Sequence, residues 1–92
     1  MAKFKLHGPL KQHVPNGELI IDGNRTVAES LTALTDAHES LKRVLYTDGT
    51  GKLHDYYRIL VNEEMVEFLD DGMNTRLKAE DVVSILPPVS GG

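Results

Sequence analysis

Alternating polar and apolar residues at the start of the chain predict a β-hairpin. Residues 3–7 alternate, with Phe4 and Leu6 on one face, which is the period of a strand buried on one side. A polar loop that closes at residues 15–17 leads to residues 18–22, an apolar run rich in β-branched side chains and bounded by turn residues. Two strands joined in this way are expected to pair with each other.

A helix is predicted to begin at Thr26. The hydroxyl of Thr26 and the carboxylate of Glu29 form the capping-box pattern, in which each group satisfies a backbone amide at the start of a helix. The apolar residues that follow are three, four and seven positions apart and so line one side of a helix. They are Val27, Leu31, Leu34, Leu41, Val44 and Leu45. Residues 36–40 tolerate turns better than helix interiors, so a loosening there would allow two shorter helices.

Further strands are predicted in the second half of the chain. Residues 56–61 follow a loop at residues 48–51 and are rich in aromatic and β-branched side chains, so we expect this strand to be central in the sheet. A turn at residues 62–63 leads to a short strand over residues 65–68, and residues 70–72 form another turn.

The last strand and the order of the elements define a fold class. Residues 82–86 form a strand that ends at Pro87 and Pro88, because neither proline can donate a hydrogen bond to a sheet. A hairpin, a helix and three strands indicate an α+β protein whose helix covers one face of a mixed sheet. We therefore predict a β-grasp fold with four to five strands and one main helix. Residues 1–86 would form this domain, and residues 87–92 a flexible C-terminal tail.

Composition narrows the classes of function. The 92 residues allow one domain, and 40% hydrophobic with 26% charged residues is an ordinary globular balance. A net charge of -4 without a basic patch argues against a nucleic-acid partner. No apolar run is long enough to span a bilayer, and residues 1–5 lack the apolar middle region of a signal peptide. We therefore expect a soluble cytoplasmic protein with no membrane partner.

The residues that usually carry catalysis form no enzyme motif. The absence of cysteine excludes disulfides, thiolate metal sites and a thiol nucleophile. The four histidines do not make the i, i+4 pair of a zinc-protease helix, so we expect no metal. They are His7, His13, His38 and His54. Paired acids such as Glu63 and Glu64 follow the pattern of solvated turns, and the chain is expected not to be an enzyme.

The C-terminal segment has the most distinctive pattern. Pro87 and Pro88 fix two backbone angles near polyproline values, which predicts a stiff stem that points away from the sheet. The four residues after the stem extend at most about 14 Å, enough to thread a channel in a partner. Gly91 and Gly92 lack a Cβ and suit the narrow part of such a channel.

The carboxylate of Gly92 is the candidate reactive group. An α-carboxyl group is ionised at neutral pH and can attack the α-phosphate of ATP held by another protein, since this chain has no phosphate-binding loop. Leu86 and Val89 are candidate partner anchors, although Leu86 could equally belong to the core. The partner-binding segment would comprise Leu86, Pro87, Pro88, Val89, Ser90 and Gly91. The alternative is a frayed terminus or the remnant of an expression tag.

This tail and the segments before it resemble the MoaD and ThiS family, the ubiquitin-like sulfur carriers of molybdopterin and thiamine synthesis. Besides the capping-box helix, the resemblance covers residues 51–54, 61–64, 77 and 81–85. It implies that a ubiquitin-activating-type enzyme uses ATP to adenylate Gly92 and that sulfur then replaces oxygen to give a thiocarboxylate. A partner enzyme would consume the sulfur. The resemblance implies no cofactor bound to the chain itself.

The resemblance leaves several pathways open. The most common role is the non-catalytic small subunit of molybdopterin synthase, whose large subunit accepts the sulfur. Residues 46–57 form a long segment similar to that of archaeal members and cysteine-synthase-associated carriers. Sulfur transfer for cysteine, thiamine or tRNA thiolation is therefore an alternative, as is a modifier joined through Gly92 to lysines of target proteins. A binding module with an inert tail is the third class of function.

Two positions depart from the family pattern. Glu63 stands where many relatives have glycine, so a positive backbone angle at this turn would carry strain. Residues 78–81 replace the usual aspartate-glycine-aspartate turn, and a tight helical turn is expected in its place. Neither departure lies in the tail.

Overall fold

The computed structural model describes residues 2–21, 24–46, 53–54 and 56–87. Its strands are β1 (Ala2–Leu6), β2 (Glu18–Ile21), β3 (Arg58–Val61), β4 (Glu64–Met65) and β5 (Val82–Leu86), and its helices are α1 (Val27–Ala37) and α2 (Glu39–Leu45). The five strands form one mixed sheet. The predicted α+β class is therefore confirmed, and the predicted loop at residues 48–51 lies outside the described residues.

The sheet has the strand order β2-β1-β5-β3-β4. β1 pairs antiparallel with β2, which confirms the predicted hairpin, and parallel with β5. β3 pairs antiparallel with both β5 and β4. The prediction that β3 is central is wrong, because β5 occupies the middle of the sheet and β3 lies one strand from the edge. An apolar, β-branched composition indicates a buried strand, but it does not specify which strands are its neighbours.

The loop before β2 is more ordered than its polar sequence predicts. The polar loop before β2 contains two 3₁₀ segments, Gly8–His13 and Pro15–Gly17, and it buries Leu10 and Val14. The loop is therefore packed onto the core rather than solvated throughout. Prolines at the start of both segments favour this geometry, because a proline suits the first position of a helical turn.

The strands around the second hairpin are shorter than predicted. β3 begins at Arg58 rather than at Tyr56, and β4 ends at Met65. The predicted strand over residues 65–68 continues instead as a 3₁₀ segment, Val66–Phe68. Val66 is buried and Phe68 is 71% exposed. Apolar residues in a short run do not by themselves distinguish a strand from a helical turn.

The helical region divides where the sequence predicts a loosening. The capping box is present: Glu29 N–H donates to Thr26 Oγ1 over 3.1 Å, and Thr26 N–H donates to Glu29 Oε1 over 2.9 Å. His38 has non-helical angles and separates α1 from α2. Five of the six predicted apolar positions are buried, and Val44 is half-buried. The two helices therefore share one apolar side, which belongs to the same core as the inner face of the sheet.

The turn between β3 and β4 has two non-glycine residues in the left-handed region. Asn62 has φ 51° and Glu63 has φ 72°, so Glu63 adopts the positive angle that the sequence left open and that carries strain for a residue with a Cβ. Asn62 is held by its side chain, which donates to Asp81 Oδ1 over 2.9 Å and accepts from Val82 N–H over 3.0 Å. Asp81 Oδ2 also accepts from Lys78 N–H over 2.7 Å. These bonds attach the turn to the start of β5.

Candidate functional site

The predicted tail begins at the end of the central strand. Leu86 is the last residue of β5, lies in register with Arg58 of β3, and is half-buried. Its neighbours Val83 and Ile85 face the core and are fully buried, whereas Leu86 is not part of the buried core. Pro87 follows and is also half-buried. The other predicted site residues, Pro88, Val89, Ser90, Gly91 and Gly92, lie outside the described residues.

Pro87 packs closely against Gly8. Gly8 has φ +60°, and a Cβ at this position would lie 3.0 Å from Pro87 Cγ. Such a contact is tighter than most real Cβ contacts, and the positive φ disfavours any side chain, so glycine at this position lets the proline approach without a shift. His7 N–H also donates to the Ile85 carbonyl over 3.3 Å. These two contacts fix the position from which the chain continues into the tail.

The face of the sheet opposite the helices is partly apolar and carries cations. Leu60 and Met65 are in register and half-buried, like Leu86. Lys5 and Arg58 are exposed on the two strands that flank β5. In residues 2–21, 24–46, 53–54 and 56–87, no salt bridge involves either of these two cations. The chain is acidic overall, and yet this open face presents positive charge beside the start of the tail.

A shallow concavity of about 420 Å³ lies on the same face. It is lined by Lys5, His7, Asn62, Glu63, Val82 and Ser84. His7 Nε2 is buried and has no hydrogen-bond partner among the described residues.

A groove of about 390 Å³ lies on the other side of the tail's starting point. We call it the tail-root groove. Besides Pro87, its lining residues are Pro9, Leu10, Gln12, His13, Val44 and Tyr57. His13 Nδ1 lies 2.9 Å from Ser40 Oγ, a hydrogen bond that links the first 3₁₀ segment to α2. Burial raises the pKa of Tyr57, and the nearby Tyr56 raises it further, so the phenol stays protonated at neutral pH.

The described residues offer little basis for other kinds of site. Within them, no group of three or more histidine, aspartate or glutamate side chains could hold a metal ion. Neither α1 nor α2 is long and apolar enough to cross a membrane. The tail and the surfaces around its first residues are therefore the candidate site.

The fold and the site define a class, and sequence comparison defines a family. A hairpin, a helical crossover and a central last strand that runs into a C-terminal segment make the chain a small β-grasp protein of the ubiquitin-like class. The chain belongs to the ThiS family, whose model matches residues 5–92. Members of this family are small sulfur carriers and ubiquitin-like modifiers.

Three similar proteins represent both activities of the family. A sulfur carrier protein CysO of Mycobacterium tuberculosis is 41% identical over 51 residues, which are 55% of this chain and 54% of the relative. The solution structure of small archaeal modifier protein 1 from Methanosarcina acetivorans is 35% identical, with a TM-score of 0.85 over 99% of this chain and 95% of the other. A chain in the Amycolatopsis orientalis BexX/CysO complex is 28% identical, with a TM-score of 0.79 over 100% of both chains.

Sequence reasoning proposed the tail as the site, which stays a prediction, and it did not identify the surfaces around Leu86 and Pro87. The outward positions of Lys3 and Lys5 follow from the alternation in β1 and could have been predicted. The approach of Pro87 to Gly8 could not, because it depends on the parallel pairing of β1 with β5. The tail-root groove likewise requires residues from four separate parts of the chain.

Proposed function

We propose that this chain is a sulfur carrier and that the carboxylate of Gly92 carries the sulfur. The observation that supports the proposal best is the extent of the family match, which runs through the whole tail to residue 92. The likeness to CysO, a protein named as a sulfur carrier, supports the same activity. The chain has no cysteine, so a persulfide on its own side chains is not an alternative.

The proposed chemistry has two steps. The Gly92 carboxylate attacks the α-phosphorus of ATP bound to an activating enzyme, and pyrophosphate leaves. Sulfide (HS⁻) then attacks the carbonyl carbon of the acyl-adenylate, and AMP leaves as the proton of HS⁻ is lost, so that a thiocarboxylate remains. The chain supplies the carboxylate and the body that the enzyme recognises, whereas the enzyme supplies the nucleotide site. A second enzyme would take the sulfur, and molybdopterin synthesis is the pathway proposed first.

The open face of the sheet is the proposed docking surface for the activating enzyme. Leu60 and Leu86 supply half-buried apolar area, and Lys5 and Arg58 supply positive charge next to the tail. A partner with acidic groups around an apolar patch would complement this surface and would be steered toward it. Docking there would place the tail at the edge of the interface, directed into the partner.

A modifier is the second candidate function. It is favoured by the likeness to small archaeal modifier protein 1, which covers nearly the whole of both chains. The activation step would be the same, but a lysine amine of a target protein would intercept the adenylate instead of sulfur. The product would then be an isopeptide bond through Gly92.

ATP–pyrophosphate exchange by the cognate activating enzyme tests the proposal. We expect exchange with the wild-type chain and none when Gly92 is deleted. Arg58→Glu should lower kcat/KM for activation by about tenfold or more, because a charge that steers the partner is reversed. Arg43→Glu is the matched control, because it reverses the charge of an exposed arginine on α2, away from the proposed docking surface. It should change kcat/KM for activation little. Equal exchange by the shortened chain would refute the role of Gly92, and equal loss in both arginine variants would refute the docking surface.

A further inference from the structure

We propose that a cleft beside Glu67 is a second docking surface of this chain and that it binds an arginine side chain of a partner protein. We call it the Glu67 cleft, and its volume is about 290 Å³. Besides Glu67, its lining includes His54, Tyr57 and Met73 together with the buried Ile59 and Val66. This surface goes beyond the proposed sulfur transfer, because no step of that chemistry uses these residues.

The Glu67 cleft lies on the opposite side of the sheet from the open face. Successive residues of a strand point to opposite faces of a sheet. In β3, Ile59 is buried and lines the cleft, whereas the next residue, Leu60, belongs to the open face. A partner in the cleft and a partner on the open face can therefore be bound at the same time.

Three aromatic rings are clustered at the cleft. The rings of His54 and Tyr56 are stacked, with centroids 4.7 Å apart and an angle of 13° between their planes. The ring of Tyr57 is tilted against that of Tyr56, with centroids 4.8 Å apart. Tyr56 is 49% exposed, so a ligand can reach the cluster from solvent. The face of an aromatic ring attracts a cation, and the planar guanidinium of arginine also stacks on such a face.

The charge around the cleft complements a cation. Glu67 is exposed and places a carboxylate at the cleft itself. Residues 59–75 contain no lysine or arginine, and four further acidic residues lie within four positions of Glu67. They are Glu63, Glu64, Asp70 and Asp71. An arginine suits this site best, because its guanidinium pairs with a carboxylate and its apolar stem can pack against the buried lining.

Phe68 adds apolar area next to the cleft. It follows Glu67 in the 3₁₀ segment Val66–Phe68 and is 71% exposed, more than any other large hydrophobic side chain in the described part of the chain. Exposed aromatic side chains are enriched in protein interfaces. We therefore expect the partner segment to carry aliphatic residues on either side of its arginine.

A pair of peptides tests this inference on the full chain without any partner enzyme. The probe is acetyl-Gly-Leu-Arg-Leu-Gly-amide, and in its control citrulline replaces the arginine, which keeps the shape but removes the charge. Nuclear magnetic resonance of the Met73 methyl group and the Tyr57 ring gives the dissociation constants. We expect saturable shifts of both signals and about fivefold tighter binding of the arginine peptide, because an exposed ion pair and a cation–π contact each contribute a few-fold.

Two variants with the same change in net charge locate the binding site. Glu67→Gln should weaken binding of the arginine peptide about threefold and leave binding of the citrulline peptide nearly unchanged, because only the ion pair is lost. Glu80→Gln is the matched control, since Glu80 is exposed and does not line the cleft. It should bind both peptides like wild type.

The outcomes separate the proposal from its alternatives. Tighter binding of the arginine peptide that Glu67→Gln weakens and Glu80→Gln does not weaken supports it. The absence of saturable shifts, equal affinity for the two peptides, or an equal loss in both variants would overturn it. Wild-type signals that move with protein concentration before any peptide is added would place a second copy of the chain in the cleft and would also overturn it. None of these results depends on Gly92, so this proposal and the sulfur carrier proposal fail independently.

Discussion

Leu34 shows how one side chain of the helical crossover contributes to the fold. It is 1% exposed and belongs to the same buried cluster as Phe4 of β1 and Ile85 of β5. Its position on the apolar side of α1 follows from sequence spacing alone. The stability of the whole sheet and helix arrangement should therefore respond to a change at this residue.

Truncation of Leu34 should be strongly destabilising. We expect Leu34→Ala to lower the free energy of unfolding by about 2 to 5 kcal/mol, because the lost burial is accompanied by a cavity that the core fills only partly. Thr32→Ala, on the exposed side of the same helix, should change it by no more than about 0.5 kcal/mol. Urea denaturation of the three proteins measures both values. A similar small effect in both variants would mean that α1 packs differently.

Glu63 is a residue whose replacement should increase stability. Its φ of 72° is costly for a side chain with a Cβ, whereas glycine adopts this angle freely. Glu63→Gly should therefore stabilise the protein by up to about 1 kcal/mol after the greater entropy of the unfolded glycine is counted. Glu64→Gly is the matched control, because Glu64 lies in β4 and has no positive angle. Glu64→Gly should destabilise the protein. A loss of stability in both variants would mean that the positive angle at Glu63 carries no strain that glycine relieves.

At the scale of elements, the sequence predicts what depends on neighbouring residues. The capping box at Thr26, the break near His38 and the strand at residues 82–86 all have local signals, and all are observed. The central place of β5 and the shortness of β4 depend on pairing between distant segments. No local pattern encodes such pairing, so these features were not predictable from hydrophobic periodicity.

The capping box makes the stability of α1 depend on pH. The hydrogen bond from the Thr26 backbone amide lowers the pKa of Glu29 below its usual value of 4.5. A group whose pKa is lower in the folded protein stabilises it above the unfolded pKa, and this contribution is lost as the pH falls through the folded pKa. Glu29→Gln keeps an acceptor but cannot ionise. The stability advantage of wild type over Glu29→Gln should therefore be present at pH 7 and disappear at low pH.

Unfolding by denaturant at a series of pH values gives this comparison. The difference in unfolding free energy between the two proteins is the quantity to plot, because the other carboxylates contribute equally to both. A difference that stays constant from pH 7 to pH 2, or that grows as the pH falls, would show that the charge of Glu29 has no part in the cap. Thr26→Ala removes the other half of the box and should cost about 1 kcal/mol at pH 7.

At the scale of the whole molecule, the fold positions Pro87, after which residues 88–92 follow. The central strand β5 carries the chain to Leu86, and the parallel pairing with β1 brings Gly8 beneath Pro87. On one side of this point lies the cationic open face, and on the other lies the tail-root groove. The proposal that Gly92 is the reactive group comes from composition and tail pattern, whereas the surfaces around Leu86 and Pro87 arise only when distant segments fold together.

The intact mass of the protein shows whether Gly92 carries sulfur. Wild type and a chain without Gly92 are each incubated with the activating enzyme, ATP and a sulfur donor. Deletion should leave the fold unchanged, which the unfolding transition will verify, but the shortened tail falls about 3.5 Å short of the activating centre. A misplacement of about 1 Å can already reduce a rate a hundredfold. We predict that wild type gains the mass difference between sulfur and oxygen and that the shortened chain does not. Equal conversion of both chains, or wild type that forms only lysine-linked adducts, would contradict the account.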